Sequence, residues 1–215
     1  FAMIIGPEGS LYANSILLFR IFFPTNYPYS PPVLEYVSMN QIRIHPNLYT
    51  NGKVCLSLLG TWSGPSWTSI MDISSVLLSI QSLLNENPLR NEPGYEKSTG
   101  SVNNNYNQTI QYNSIQSLQI DCYDKLPVDF QLFKSTIKKH ILDSYSSTIK
   151  LIEKQSMTKK KVHVGIYKIT MTIDYEKLKH NFQKFYDRLR NEPITTNVPI
   201  DNSKQTIDPM ITPSC

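Results

Sequence analysis

Cysteine is scarce in this chain of 215 residues, which has three, Cys55, Cys122 and Cys215. Their odd number and wide separation argue against a disulfide framework and for a reducing compartment. No second cysteine or histidine lies at the short offset from any of them that a tetrahedral metal site needs. The sequence therefore predicts neither a metal site nor a cofactor, and it favours the cytoplasm, with the nucleus as the alternative.

Long apolar runs and a strong excess of one charge are also missing. The longest apolar runs, such as Ile16 to Phe23, are too short to span a bilayer, and no signal peptide is visible. The net charge of +4 owes much to three consecutive lysines at residues 159–161, a run typical of a solvated turn. Because no aromatic residues interleave with the basic ones, a base-stacking surface is not indicated. We expect no membrane or nucleic-acid partner.

Three apolar segments separated by turn residues make up the start of the chain. They lie at Phe1 to Ile5, Ser15 to Phe23 and Val33 to Val37, and each has the composition of a strand. The proline-rich residues 27–32 cannot form a helix, because proline removes backbone donors and favours extended geometry before it. The pattern predicts an antiparallel meander over Phe1 to Val37.

A helix is predicted after a long irregular stretch that runs from Gln41 to Trp67. Ser69-x-x-Asp72 resembles a capping box, and apolar residues follow at helical spacing until Pro88. We expect a helix from about Ile70 to Leu84 that packs on the sheet, which gives an α+β fold.

Cys55 is the residue on which the functional interpretation depends. It follows an Asn-Gly turn in an apolar segment, and on that evidence alone a buried structural thiol is the simpler interpretation. His45 could be imagined as a base for it, but nothing in the spacing requires this, and a lone histidine beside proline is more often structural.

Six short segments together favour catalysis. They are Ile4-Ile5-Gly6-Pro7, Phe23-Pro24-x-x-Tyr27-Pro28-x-x-Pro31-Pro32, His45-Pro46-Asn47, Gly52-x-Val54-Cys55-Leu56-Ser57-Leu58-Leu59, Trp62, and Val76 to Leu84. In order and register they resemble the ubiquitin-conjugating enzyme family over roughly residues 1–96, with Asn47 eight positions before Cys55, as in that family.

The resemblance implies an activity and roles for individual residues. Cys55 would be the nucleophile that carries ubiquitin as a thioester and passes it to a substrate lysine. Asn47 would stabilise the oxyanion or support the loop, His45 and Pro46 would shape the turn, and Tyr29 would contact a ligase. The expected partners are ubiquitin, its activating enzyme, a ligase and substrate proteins, and Tyr27-Pro28 is a candidate cis peptide.

A narrower resemblance is to the giant hybrid conjugating enzyme/ligases typified by Apollon, also called Bruce. It rests on the segment from Asn47 to Leu59, the long loop from Trp62 to Trp67, residues 91–96 and a helical extension that begins near Pro127. Under this interpretation the expected regions follow the chain in order. They are a conjugating core at 1–98, a polar loop or weak helix at 99–126, a helical extension packed on the core at 127–190, and a disordered tail at 191–215.

Two departures from the family pattern qualify these expectations. Many members place an aspartate after the helix near the incoming lysine, whereas here only Asn91 or Glu92 could substitute. The family's first helix and first strand would precede Phe1, so we expect a native N-terminus upstream of it.

Three alternatives remain open at the level of sequence. The chain could conjugate another ubiquitin-like modifier, since the modifier is chosen largely at the surface that meets the activating enzyme. It could be an inactive ubiquitin-binding scaffold, although such variants lack the cysteine. Residues 125–190 could also form a helical adaptor that binds a partner.

Overall fold

A three-stranded antiparallel meander opens the computed structural model, which describes residues 1–193. The strands are β1 (Ala2–Ile5), β2 (Ile16–Phe22) and β3 (Val33–Val37). β2 pairs with both neighbours, and its first four residues are buried. Because successive side chains of a strand point to opposite faces, both faces of the sheet are covered at this end of β2. The predicted antiparallel meander is therefore confirmed, and the helices described below confirm the α+β class.

The turn between β1 and β2 requires glycine at one position. A Cβ on Gly6 would lie 1.8 Å from the carbonyl oxygen of Tyr12. The close approach lets the Tyr12 hydroxyl lie in the core and donate to the carbonyl of Ile44 at 2.6 Å. The β1–β2 turn thus reaches the start of the irregular segment that carries Cys55. The predicted cis bond at Tyr27-Pro28 is also present.

Helix α1 (Ile73–Leu83) packs against the sheet through Val76 and Ile80. It begins three residues later than predicted, because Asp72 and not Ser69 is the N-cap: the Asp72 side chain accepts from the backbone N–H of Ser75 at 3.0 Å. Ile70, predicted as the first helical residue, is 94% exposed and lies outside the helix.

The polar region after the core is helical, not a loop. Helix α2 (Gly100–Ile115) continues through a π-helical segment (Gln116–Asp121) into the short helix α3 (Cys122–Asp124). Its asparagines bind polar groups of the core. Asn103 donates to Asn87 at 3.2 Å and Asn107 donates to the carbonyl of Glu86 at 3.1 Å.

The extension contains strands as well as helices. After a 3₁₀ turn at Val128–Phe133 come α4 (Lys134–Asp143), α5 (Tyr145–Glu153), the antiparallel hairpin β4 (Lys160–Val164) and β5 (Ile169–Ile173), and α6 (Tyr175–Asn191). The hairpin corrects the expectation of an all-helical extension and of a lysine-rich turn, since Lys160 and Lys161 lie in β4. The disordered tail was predicted from residue 191, but Asn191 is the last residue of α6 and Glu192 accepts from the hydroxyl of Tyr123 at 2.9 Å. The rest of the predicted tail, beyond residue 193, lies outside the described residues.

The extension packs on the core through apolar and polar contacts. Phe130 is fully buried and makes a T-shaped contact with Phe1, with 5.1 Å between the ring centroids. Beside it, Asp129 accepts from Arg20 of β2 at 2.6 Å.

Among residues 1–193, none of the helices has the length and hydropathy that a membrane-spanning helix requires.

Candidate active site

The segment His45-Pro46-Asn47 forms a compact turn held by its own side chains. The backbone N–H of Asn47 donates to Nδ1 of His45 at 3.0 Å, and the N–H of Leu48 donates to the carbonyl of His45 at 3.0 Å. His45 and Asn47 are both buried, at 0% and 8% exposure. The buried side chain of His45 therefore holds the turn, which is the role that the family resemblance implies for it.

Asn47 and Cys55 are joined by two hydrogen bonds. The N–H of Cys55 donates to the carbonyl of Asn47 at 2.9 Å, and the Asn47 side-chain amide donates to the carbonyl of Cys55 at 2.8 Å. The Asn47 side-chain oxygen is buried and has no hydrogen-bond partner within the described part of the chain. The two residues that the family resemblance pairs thus lie together, and the amide of Asn47 supports the loop in this conformation.

Thr61 holds the residues on either side of Cys55. Its hydroxyl donates to the carbonyl of Val54 at 2.7 Å and accepts from the N–H of Leu56 at 2.9 Å. Sequence reasoning did not identify this residue, because a single threonine in a polar loop belongs to no recognisable motif. Together Asn47 and Thr61 fix the backbone of the cysteine on both sides.

His45 is held neutral by its surroundings. Burial lowers its pKa to about 3, and the positive charge of Arg43 acts in the same direction. Because Nδ1 accepts from Asn47, the proton is assigned to Nε2, which faces the carbonyl of Leu83 at 3.1 Å. A histidine with both nitrogens occupied and so low a pKa is a poor general base at neutral pH.

The two described cysteines differ in setting more than in burial. Cys122 lies in a helix inside the core, and burial, aided by Asp121, raises the pKa of its thiol to about 12. Cys55 is also buried, at 1% exposure, but it lies in irregular backbone near the exposed residues 62–66. For acyl transfer its sulfur must become accessible, which a loop permits more readily than a helical core.

The remaining predicted site residues lie in different settings. Tyr29 is 81% exposed, as a partner-contacting residue would be. Asn91 donates to the carbonyl of Pro88 at 3.2 Å. Glu92 accepts from the hydroxyl of Tyr167 at 2.6 Å and lies 3.8 Å from Arg43. Trp62, one of the six segments of the family pattern, is 37% exposed.

Arg43 is the main residue that the sequence analysis missed. Its guanidinium donates to the carbonyl of Pro46 and lies over the ring of Tyr49, 3.5 Å from the centroid. An arginine two residues before a histidine belongs to no motif, so its role is visible only in three dimensions.

Among residues 1–193, no three His, Cys, Asp or Glu side chains are grouped so that they could hold a metal ion.

The comparison with known families decides the classification. The family model "Ubiquitin-conjugating enzyme" matches residues 1–118, more than half of the chain. This chain belongs to the ubiquitin-conjugating enzyme family. The match extends past the region recognised from motifs into α2 and the π-helical segment, so the long polar helix is part of the conjugating-enzyme domain.

Curated relatives from several organisms agree with this assignment. "Ubiquitin-conjugating enzyme E2 Z" of Xenopus tropicalis is 46% identical over 118 residues, which are 54% of this chain and 38% of the relative. The Homo sapiens protein of the same name is 41% identical over 148 residues, 67% of this chain and 42% of the relative.

A plant relative is similar over a shorter part of the chain. "Probable ubiquitin-conjugating enzyme E2 25" of Arabidopsis thaliana is 54% identical over 108 residues, 47% of this chain and 17% of the relative. This member of the conjugating-enzyme family thus spans less than half of the length of the relatives named here.

Proposed function

We propose that this chain accepts ubiquitin from the activating enzyme as a thioester on Cys55 and transfers it to a substrate lysine. The observation that carries the proposal is the double hydrogen bond between Asn47 and Cys55 in a chain of this family. A cysteine with only a structural role does not need this environment. Here a buried asparagine binds its carbonyl, a histidine fixes the turn of that asparagine, and a threonine binds the residues before and after the cysteine.

The proposed reaction has two acyl-transfer steps. In the first, the Cys55 thiolate attacks the thioester carbonyl of the activating enzyme, a new sulfur–carbon bond forms, and the activating enzyme's cysteine leaves as a thiolate. In the second, the lysine amine attacks the Cys55 thioester, a carbon–nitrogen bond forms, and Cys55 leaves as a thiolate. The proton of the attacking amine is lost to solvent.

Asn47 supports the second step in two ways. In the resting conformation its amide binds the carbonyl of Cys55 and fixes the loop. When negative charge develops on the thioester oxygen, the same neutral donor can stabilise it without giving up a proton. Loss of one such donor typically costs about 2.7–4 kcal/mol of transition-state stabilisation.

The modifier, the partner and the cellular location are part of the same proposal. We infer ubiquitin as the modifier, a ligase as the partner that meets the exposed Tyr29, and the cytoplasm or nucleus as the location. A hybrid role, in which the protein is both conjugating enzyme and ligase, stays a prediction. The names of the relatives describe conjugating enzymes.

A loading assay tests the proposal. The full-length protein is incubated with activating enzyme, ATP and ubiquitin, and the products are separated with and without a thiol reductant. We expect an adduct of protein and ubiquitin that the reductant removes. A panel of ubiquitin-like modifiers with their activating enzymes is run in parallel. Loading with one of these alone would overturn ubiquitin as the modifier, and no thiol-sensitive adduct with any of them would overturn the function.

A further inference from the structure

The β4–β5 hairpin of the extension reaches the active-site turn through a chain of side chains. Tyr167 lies in the 3₁₀ turn Gly165–Tyr167 between the two strands, outside the residues that the family model matches. Its hydroxyl donates to Glu92 at 2.6 Å, and its ring lies 5.0 Å from the guanidinium of Arg43. The hairpin therefore contacts the residue that binds the carbonyl of Pro46.

Arg43 is held on several sides at once. Its guanidinium lies against the rings of Tyr49 and Tyr167, and Glu92 lies 3.8 Å from it. Its own carbonyl accepts from the hydroxyl of Tyr106 at 2.9 Å. An arginine enclosed by two aromatic faces and a carboxylate has few alternative rotamers, so its hydrogen bond to the turn is preorganised.

Tyr167 stays protonated in this arrangement. Burial raises the pKa of its phenol well above the ordinary value, and the hydrogen bond to Glu92 raises it further. The phenol is therefore a permanent donor to Glu92 at physiological pH. In return the carboxylate keeps both its bond to Tyr167 and its attraction to Arg43, which links the hairpin to the turn electrostatically as well as sterically.

We propose that Tyr167 is a positioning residue for transfer from Cys55. Acting through Glu92 and Arg43, it fixes the carbonyl of Pro46 and with it the orientation of Asn47. The inference rests on the proposed function and adds to it a role for the extension. It also assigns Glu92 a task other than that of a carboxylate beside the incoming lysine.

The expected effect is on transfer more than on loading. Loading needs the Cys55 thiolate, whereas transfer also needs the amide of Asn47 in the right place, and small misplacements of catalytic groups are costly in rate. Removing the Tyr167 hydroxyl should slow discharge of ubiquitin to free lysine by at least about tenfold, near the lower end of what loss of one hydrogen bond to a charged group causes.

Single-turnover discharge of preloaded protein is the measurement. The variants are Tyr167→Phe, which keeps the ring over Arg43, and Glu92→Gln, which keeps an acceptor for Tyr167 but removes the charge. The matched control is Tyr175→Phe. Tyr175 is a buried tyrosine of the same extension whose hydroxyl lacks a hydrogen-bond partner among residues 1–193, so its variant should discharge at the wild-type rate.

A double-mutant cycle separates positioning from general stability. If Tyr167 acts through Glu92, the combined variant should discharge no more than about twofold slower than the slower single variant, because the two changes break the same link. Discharge is measured at a temperature at which circular dichroism shows each variant to be folded. Slow discharge with normal loading in that folded state supports positioning.

Equal discharge rates for wild type and folded Tyr167→Phe would overturn the inference while the proposed function stood. Equal slowing by Tyr175→Phe would overturn it as well, because the effect would then not be specific to the link with Arg43. If the wild-type protein formed no thioester, the proposed function itself would have failed, and the two failures are therefore distinguishable.

Discussion

The active-site segment and the C-terminal extension are stabilised in different ways. Residues 45–61 have little regular secondary structure, and hydrogen bonds of His45, Asn47 and Thr61 fix their backbone. The extension consists of helices and a hairpin around buried aromatic rings, with Tyr145 stacked on Tyr186 at 3.8 Å between centroids. Polar contacts give the site a defined geometry, and apolar burial gives the extension its stability.

The largest effect expected from this difference is a loss of stability when the aromatic core of the extension is disrupted. Phe182 of α6 is fully buried and packs near Tyr145 and Phe185. Phe182→Ala should lower the free energy of unfolding by about 3–5 kcal/mol, through lost burial and the cavity left behind. Urea denaturation followed by circular dichroism measures the change.

An exposed apolar residue of the same extension is the control. Val128 is 89% exposed, so Val128→Ala should change the free energy of unfolding by no more than about 0.5 kcal/mol. Similar losses for the two variants would show that burial does not distinguish these positions.

The next largest effect comes from His45 in the polar turn, and it makes the free energy of unfolding depend on pH. The pKa of His45 is about 3 in the folded state against an ordinary value of 6.5. Between these values the unfolded chain binds a proton that the folded chain does not, so stability is lost as the pH falls. The loss should reach about 1.4 kcal/mol per pH unit below pH 6. Unfolding free energies of wild type and His45→Gln between pH 7 and about pH 4 measure it.

His45→Gln should lack this component of the pH dependence. His180→Gln removes an exposed histidine of α6 and leaves His45 in place, so it should keep the wild-type slope. Parallel pH profiles for wild type and His45→Gln would contradict the buried neutral state of His45.

The smallest predicted effect tests the role of the Asn47 amide in transfer. Asn47→Asp removes the donor that binds the carbonyl of Cys55 and places a carboxylate where negative charge develops. We expect normal loading and discharge to lysine at least about tenfold slower, equivalent to about 1.4 kcal/mol on the barrier. Single-turnover discharge and thermal unfolding are measured on the same preparation.

Asn51→Asp is the matched control for the added charge. Asn51 is exposed on the same loop, and its side-chain oxygen accepts from the N–H of Lys53 at 3.2 Å, which an aspartate can also do. It should discharge at the wild-type rate. Equal discharge rates for wild type and folded Asn47→Asp would show that Asn47 has no part in transfer.

The sheet and α1 could be predicted because their signals are local. Apolar segments bounded by turns specify the strands, and helical spacing up to Leu83 specifies α1. Helix α2 has a weak apolar pattern, and it is supported by contacts such as Asn103 with Asn87, which no sequence window shows. The β4–β5 hairpin was missed because lysines at its start mask the strand pattern.

The site was predictable only in part, for a related reason. The resemblance to the conjugating-enzyme family, in which the asparagine lies eight positions before the cysteine, identified Asn47 and Cys55, and the structure places them in contact. Arg43, Glu92 and Tyr167 are far apart in sequence and meet only in the folded chain. Convergence of this kind depends on tertiary packing, which motifs and periodicity do not encode.

The most direct test of the central claim is the chemistry of the ubiquitin adduct in variants of Cys55. In the full-length protein, Cys55→Ser should give an oxyester that resists thiol reductants, Cys55→Ala should give no adduct, and Cys122→Ala should keep a thiol-sensitive thioester. Non-reducing gels and intact mass measure all three. Loading of Cys55→Ala at the wild-type rate would contradict the claim that Cys55 carries ubiquitin.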